Sequence, residues 1–373
     1  MKYYFFLNRT GRLNVTTEDN MDIKKNALLL GGTGAMGRYL QDELVAMGFN
    51  VVVTTRSTKK SENSNIHYLT GNAKDLVFLK EILSKNWDVI FDFMVYETSD
   101  FIERVLILLE SCKQYFFISS YRVFNDSEVP INESSLRLLD SVKDDIYLST
   151  DEYGLAKARQ ENILGEMPQK NWTIIRPSIT YSVNRLQFGV LEWDTIVYRS
   201  INNSPIVFPS EMLNKYTTMT WAGDVAYLMA QLIGIESAMG EAFNVVTDEH
   251  ITWSNVYKVY KDELNSKLVT IPVSEYLKRI SSNQYQVKYD RMFNRKMDNS
   301  KILSVTDNLD YSFMPLEKGL RKEINNSITD VKNLNLDFRL NAQMDKIAKI
   351  LPNLSKIDFV QKLKYIKWFV LNK

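Results

Sequence analysis

Ala27-Leu28-Leu29-Leu30-Gly31-Gly32-Thr33-Gly34-Ala35-Met36-Gly37 is the stretch on which the fold turns. Four apolar residues predict a short buried strand, and the glycines predict a tight turn. Leu40, Leu44 and Met47, at i, i+4 and i+7, predict a helix closed by Gly48. The glycine spacing is 31, 34, 37. A tight turn needs the first, close approach of backbone to a pyrophosphate needs the second, and close helix–strand packing needs the third. The helix start then offers free N–H groups and the positive end of its dipole to phosphate oxygens. Gly31, Thr33, Gly34, Ala35, Met36 and Gly37 are therefore candidate dinucleotide contacts.

Outward from this turn the chain alternates between short apolar runs and helical stretches. Val51-Val52-Val53, Ile66-His67-Tyr68-Leu69, Val89-Ile90-Phe91, Tyr115-Phe116-Phe117-Ile118 and Trp172-Thr173-Ile174-Ile175 read as strands, the last stopped by Pro177. Asp75 is placed to cap a helix carrying Leu76, Leu79 and Leu83, and Phe101 to Leu109 reads as another helix. Strand–helix alternation implies right-handed crossovers and a covered parallel sheet. The expected fold is α/β, a Rossmann-like doubly wound parallel sheet with a smaller mixed lobe. The expected organisation is an extension (1–23), a dinucleotide-binding domain (24–180), a substrate lobe sharing some chain with it (181–325) and a helical tail (326–373).

The second strand ends Thr54-Thr55-Arg56-Ser57. An acidic residue there would grip the 2′-hydroxyl of an NAD ribose. Arg56 stands instead and suits a 2′-phosphate, so NADP is preferred over NAD. Thr55 and Arg56 join the expected contacts.

The 373 residues carry 46 basic and 45 acidic side chains, a net charge of +1 without the basic excess of a dedicated nucleic-acid binder. The lone cysteine, Cys112, precludes an internal disulfide and points to a reducing, cytoplasmic setting. One cysteine with two histidines, His67 and His250, does not build a usual zinc site, so no metal is expected. No apolar run reaches membrane-spanning length. The apolar start Tyr3–Leu7 is too short for a signal peptide and lacks a cleavage site. In the tail, Phe359, Leu363, Ile366 and Val370 share a helical face, and Lys356, Lys362, Lys364, Lys367 and Lys373 outnumber Asp358. The favoured reading docks this face on its own domain or on a partner subunit; weak contact with a membrane surface is the rival.

Tyr153-Gly154-Leu155-Ala156-Lys157 sets a phenol and an ammonium one helical turn apart, where the cation favours phenolate. Tyr257 and Lys261 repeat the spacing, so position decides: Tyr153 follows the strand ending Ser119-Ser120, at the edge where parallel sheets bind ligands, whereas Tyr257/Lys261 reads as a solvated helix face.

With these pieces in order the chain resembles an extended short-chain dehydrogenase/reductase of the NAD-dependent epimerase/dehydratase family. The resemblance rests on Gly31-x-x-Gly34-x-x-Gly37, Phe117 to Phe124, Tyr153-x-x-x-Lys157, Ile175-Arg176-Pro177-Ser178, Ala222-Gly223-Asp224-Val225-Ala226, Phe243-Asn244-Val245, Asp298 to Lys301 and Met314 to Leu320, and covers about residues 25–325. It implies Ser120 as hydrogen-bond donor to the substrate oxygen and Tyr153 as acid/base. Lys157 is implied to bind the nicotinamide ribose and lower the tyrosine pKa, Asn72, after the third strand, to contact the cofactor, Pro177 to border the cofactor, and Tyr121 to meet the substrate; Arg291, by its place before Asp298 alone, is read as a contact to substrate phosphate. The substrate implied is a nucleotide sugar, and family members are often homodimers.

Departures refine this. Members that dehydrate sugars usually have Asp-Glu where Tyr121-Arg122 stand, so 4,6-dehydration is not expected. Asp92-Phe93-Met94-Val95-Tyr96 replaces the family's His-Leu-Ala-Ala. That region resembles relatives similar to chloroplast stem-loop RNA-binding proteins, some lacking catalytic residues; Tyr153 and Lys157 favour an enzyme here. NADPH-dependent reduction of a keto sugar is preferred. An epimerase with tightly held cofactor and a non-catalytic dinucleotide- or RNA-binding module are the rivals.

Overall fold

The computed structural model describes residues 3–7, 13–17, 25–127, 129–280, 282–329, 331, 334–351 and 359–371. An antiparallel strand pair, Tyr3–Leu7 and Leu13–Thr17, precedes the main sheet, whose first strand β1 (Asn26–Leu30) is buried along its apolar run, as expected of a strand covered on both faces. It leads into α1 (Ala35–Ala46), then β2 (Asn50–Thr55), β3 (Ile66–Thr70), α2 (Leu76–Leu83), β4 (Trp87–Asp92), α3 (Thr98–Glu110) and β5 (Cys112–Ile118). After a long connection come α4 (Tyr153–Glu166) and β6 (Trp172–Pro177). Asp75 caps α2, its carboxylate accepting the Val77 and Phe78 N–H groups.

The seven-stranded sheet runs β7-β6-β5-β4-β1-β2-β3, where β7 is Glu241–Val245. Every neighbouring pair is parallel. Its order reverses between β1 and β4, where Leu30 stands opposite Asp92. Such a switch point opens a crevice beyond the strand ends, and the ligand site follows from it.

One face of the sheet is covered by α1 and α6 (Ala222–Gln231), through Leu40, Leu44, Val225, Leu228 and Met229. The other is covered by α2, α3 and α4, through Leu79, Phe101, Val105, Leu108 and Leu164. Both α6 and β7 come from beyond residue 180, so the chain returns to the sheet after building part of the second lobe.

That lobe packs α5 (Trp193–Ile201), α7 (Trp253–Leu264) and α8 (Leu316–Ile328) around Phe188, Phe208, Trp253, Tyr260 and Leu320. Tyr257 is not on a solvated face: it is half-buried, its hydroxyl donating to the Ser266 carbonyl at 2.9 Å, while Lys261 is exposed.

In the tail, α9 (Phe338–Ile347) carries α10 (Phe359–Leu371). The docked face is formed by Tyr365, Trp368 and Phe369 against Phe338 and Ala342. The stripe read from the sequence as the docking face, Phe359, Leu363, Ile366 and Val370, instead faces outward, 46–73% exposed. Aromatic bulk and a buried acceptor decide the orientation: Tyr365 donates to Asp345, which also pairs with Arg199 of α5 at 2.6 Å. Lys356, Asp358 and Lys373 lie outside the described residues, as do most of residues 1–23.

Candidate active site

The glycine turn is built as its spacing demands. Gly31 has φ +70°, in the left-handed region, and a Cβ there would lie 2.8 Å from Met94 Sδ. A Cβ on Gly37 would lie 2.3 Å from the Gly32 carbonyl oxygen, so no larger residue fits. At Gly34 the same construction meets nothing within 4 Å, so this position borders open space. The loop is held by Thr54, whose Oγ1 accepts the Gly31 N–H at 2.8 Å. Gln41 Nε2 donates to the Gly32 and Gly37 carbonyls at 2.9 and 3.1 Å.

Two cavities meet at this loop. The larger, about 580 Å³, is lined by Gly31, Gly34, Ala35, Met36 and Gly37 on one side, and by Ser120, Tyr121, Tyr153, Lys157, Pro177 and Arg291 on the other. The smaller, about 320 Å³, is lined by Thr33, Thr55, Arg56, Asn72 and Lys74. They share Gly31, Phe93, Met94 and Val95. Each residue expected at the site thus lines one of two adjoining cavities, although they come from positions 31 to 291. A long ligand with phosphates at its middle fits this shape: open space at Gly34, the N-terminus of α1, and a chamber at either end.

Ser120 lies two residues past the end of β5. Its Oγ accepts the Arg122 N–H at 3.2 Å, which leaves its own hydrogen to donate elsewhere. Ser119 points away and donates to Glu161 at 2.6 Å; Arg176 grips both oxygens of the same carboxylate at 2.9 and 2.8 Å. This buried network fixes the strand end beneath Ser120. Tyr153 opens α4 and Lys157 lies one turn on. Glu152 caps the helix, accepting the Gly154 N–H at 2.9 Å, and also pairs with Arg122.

Burial raises the Tyr153 phenol above its ordinary pKa; the Arg122 guanidinium, the Ser120 hydroxyl and Arg185 pull it back down. Arg122 stands 5.1 Å from the centre of the Tyr153 ring. Arg122 is the larger and Arg185 the smaller of two cations that lower the phenol. Lys157 Nζ faces the Met94 carbonyl at 3.4 Å and the Phe117 ring at 4.4 Å. Burial pushes this ammonium down to about 8, against the pull of Asp92 and Glu161. Asp92, fully buried at the end of β4, is pushed up to about 6 by burial, although it accepts the Met94 N–H and the Tyr115 hydroxyl.

Arg291 borders the cavity but is heavily engaged. Nε donates to the Gly189 carbonyl at 2.8 Å, Nη1 to Asp290 and the Tyr121 hydroxyl, and Nη2 to Gln187 at 3.3 Å. Asp290 is held below its ordinary carboxylate value: burial works against this, but Arg291, Arg295 and Arg122 outweigh it. Tyr121 is buried above this charged floor.

The lining also includes Arg122, Arg185, Gln187, Glu192 and Gln286, none of which was singled out from sequence as a site residue. Arg122 was within reach, two residues past Ser120. The other four sit in loops or in elements of two or three residues in the second lobe, too short for periodicity or spacing to mark them.

Residues 27–244 match the model of the NAD dependent epimerase/dehydratase family. The chloroplast stem-loop binding protein of 41 kDa b of Arabidopsis thaliana is 27% identical over 251 residues, 63% of this chain and 62% of that protein. The chain therefore spans less than two thirds of this relative's length. Among solved structures, an epimerase of Methanothermobacter thermautotrophicus superposes with a TM-score of 0.64 at 16% identity, covering 83% of this chain and 94% of that one. UDP-glucose 4-epimerase of Thermotoga maritima with UDP-glucose gives 0.62 at 16%, covering 82% and 100%. dTDP-glucose 4,6-dehydratase of Bacillus anthracis with NAD gives 0.61 at 14%, covering 82% and 97%. At these identities the likeness is one of fold.

Proposed function

The chain belongs to the NAD dependent epimerase/dehydratase family, and from that premise we propose that it reduces a keto group of a nucleotide sugar with NADPH. The observation that carries the reading is the pair of cavities meeting at the glycine loop, with Ser120, Tyr153 and Lys157 in the larger and Arg56 in the smaller. The smaller chamber is lined by two cations, Arg56 and Lys74, and by no carboxylate, which suits a 2′-phosphate. When bound, the dinucleotide supplies the hydride.

The protein's own groups do the rest. Ser120 donates its hydroxyl hydrogen to the substrate's carbonyl oxygen and stabilises the charge that grows there. Tyr153 gives that oxygen its proton. Arg122 offsets part of the burial that raises the phenol, and Lys157 would hold ribose hydroxyls. Arg185, paired with Glu192 at 3.5 Å, and Arg291, paired with Asp290, line the second-lobe side, where a substrate diphosphate would lie. Arg122, a cation where 4,6-dehydration wants an acid, supports reduction over dehydration.

Epimerisation is the second reading, favoured by the solved epimerases of the same fold, one of them with UDP-glucose. Incubation of the pure protein with NADPH and a panel of 4-keto nucleotide sugars separates the two. Loss of the reduced-nicotinamide absorbance with formation of a hydroxy sugar is expected. Exchange of sugar isomers without net consumption of cofactor would replace the proposal with the second reading. Arg56→Glu is expected to raise the KM for NADPH by about tenfold or more and leave that for NADH little changed.

A further inference from the structure

We propose that α10 is a docking element for an anionic lipid surface. The helix is fastened to the protein by one face only, through Tyr365, Trp368 and Phe369, and the Arg339 guanidinium lies 4.6 Å from the centre of the Trp368 ring. That anchorage turns Phe359, Leu363, Ile366 and Val370 outward, at spacings of four, three and four, with Val360 beside them, 60% exposed. Five apolar side chains in one outward stripe exceed the scattered exposure of an ordinary surface.

Charge selects the occupant. α10 carries Lys362, Lys364 and Lys367 and no carboxylate, with Lys364 and Lys367 exposed. Residues 326–373 hold nine lysines and arginines against four acids, a net of +5 in a chain whose total is +1. The rest of the chain is therefore net −4, and the positive charge is gathered at the tail. An apolar stripe with lysines on the same helix matches the interface of a bilayer bearing anionic headgroups, where tails meet the stripe and headgroups meet the ammonium groups. A nucleic acid would be served by the lysines, but four of the five exposed apolar residues are aliphatic and offer bases no stacking face. Thirteen residues span about 20 Å, short of the roughly 30 Å hydrocarbon core, and no helix among the described residues is long and apolar enough to cross it. The helix therefore lies along the surface.

The test is flotation of the full chain with vesicles of phosphatidylcholine alone and of phosphatidylcholine with phosphatidylglycerol. Flotation with the anionic vesicles only is expected, weakening as salt is raised. Leu363→Glu/Ile366→Glu and, separately, Lys362→Glu/Lys367→Glu should each cut partitioning by about tenfold or more with no change in melting temperature or in NADPH binding. The proposal fails if the protein does not float with anionic vesicles, or if Leu363→Glu/Ile366→Glu floats as the parent does. It fails equally if sedimentation shows a dimer that this double variant dissociates without any vesicle binding, which gives the stripe to a second copy. Binding of single-stranded RNA that depends on the lysines and not on Leu363 and Ile366 also overturns it.

Discussion

Arg122 replaced by Gln would remove the cation that most lowers the Tyr153 phenol while keeping a polar side chain. Losing a positive charge disfavours phenolate, so the phenol pKa rises. The limb of the pH–rate profile that reports this group is expected to move to higher pH by about one unit, with Arg122→Lys restoring part of the shift. Tyr153→Phe is expected to lower kcat by at least about 10²-fold and leave cofactor affinity near its original value, measurable by nicotinamide fluorescence. Asp92 gives a prediction for stability. Its folded pKa, about 6, lies above the ordinary carboxyl value of 3.8, so its contribution is fully present below about pH 4 and is lost as pH rises through 6. The difference is on the order of 3 kcal/mol. Asp92→Asn should flatten the pH dependence of the urea midpoint across that window; an unchanged slope would show that another group titrates there. At this scale Ser120, Tyr153 and Lys157 could be read from the chain because motif and position coincide. The burial that pushes Asp92 up, and the turn of Lys157 toward Phe117, depend on packing between distant segments and have no local signature.

Among the elements, the glycine loop was the most legible, since each of its constraints is local: a left-handed φ, a close helix–strand approach, an open position. The three glycines should therefore fail differently. Gly37→Ala drives a Cβ into the Gly32 backbone and is expected to cost a few kcal/mol of stability, seen as a lower melting temperature. Gly34→Leu points into free space and should leave the melting temperature near its original value while weakening NADPH binding by about tenfold or more. Helix α10 was legible in outline only. Its four-three-four stripe was visible in the sequence, but periodicity marks a face without naming its partner. Tyr365 took the docked position because Asp345 was there to accept its hydroxyl.

For the whole molecule, strand alternation sufficed for the parallel sheet up to β6. The return of α6 and β7 from beyond residue 180 was apparent only through the family-like segments 222–226 and 243–245. The second lobe stayed vague because its strands are short and its core gathers side chains from residues 121 to 347. The tail is joined to that lobe by Arg199, Asp345 and Tyr365. Asp345→Ala strands a wholly buried guanidinium, an imbalance of about 3–5 kcal/mol. Faster amide exchange confined at first to α9 and α10 is expected, followed by loss of the lobe at lower urea than the parent; uniform exchange would mean that tail and lobe do not open separately.

The waist where the two chambers touch, at Gly31 and Phe93 to Val95, makes occupancy of the small room a matter of concern to the large one. A fragment such as adenosine 2′,5′-bisphosphate, filling only the far room, should compete with the intact dinucleotide and yet leave the sugar's seat vacant and accessible. Inhibition by such a fragment would then be competitive toward NADPH and not toward the sugar.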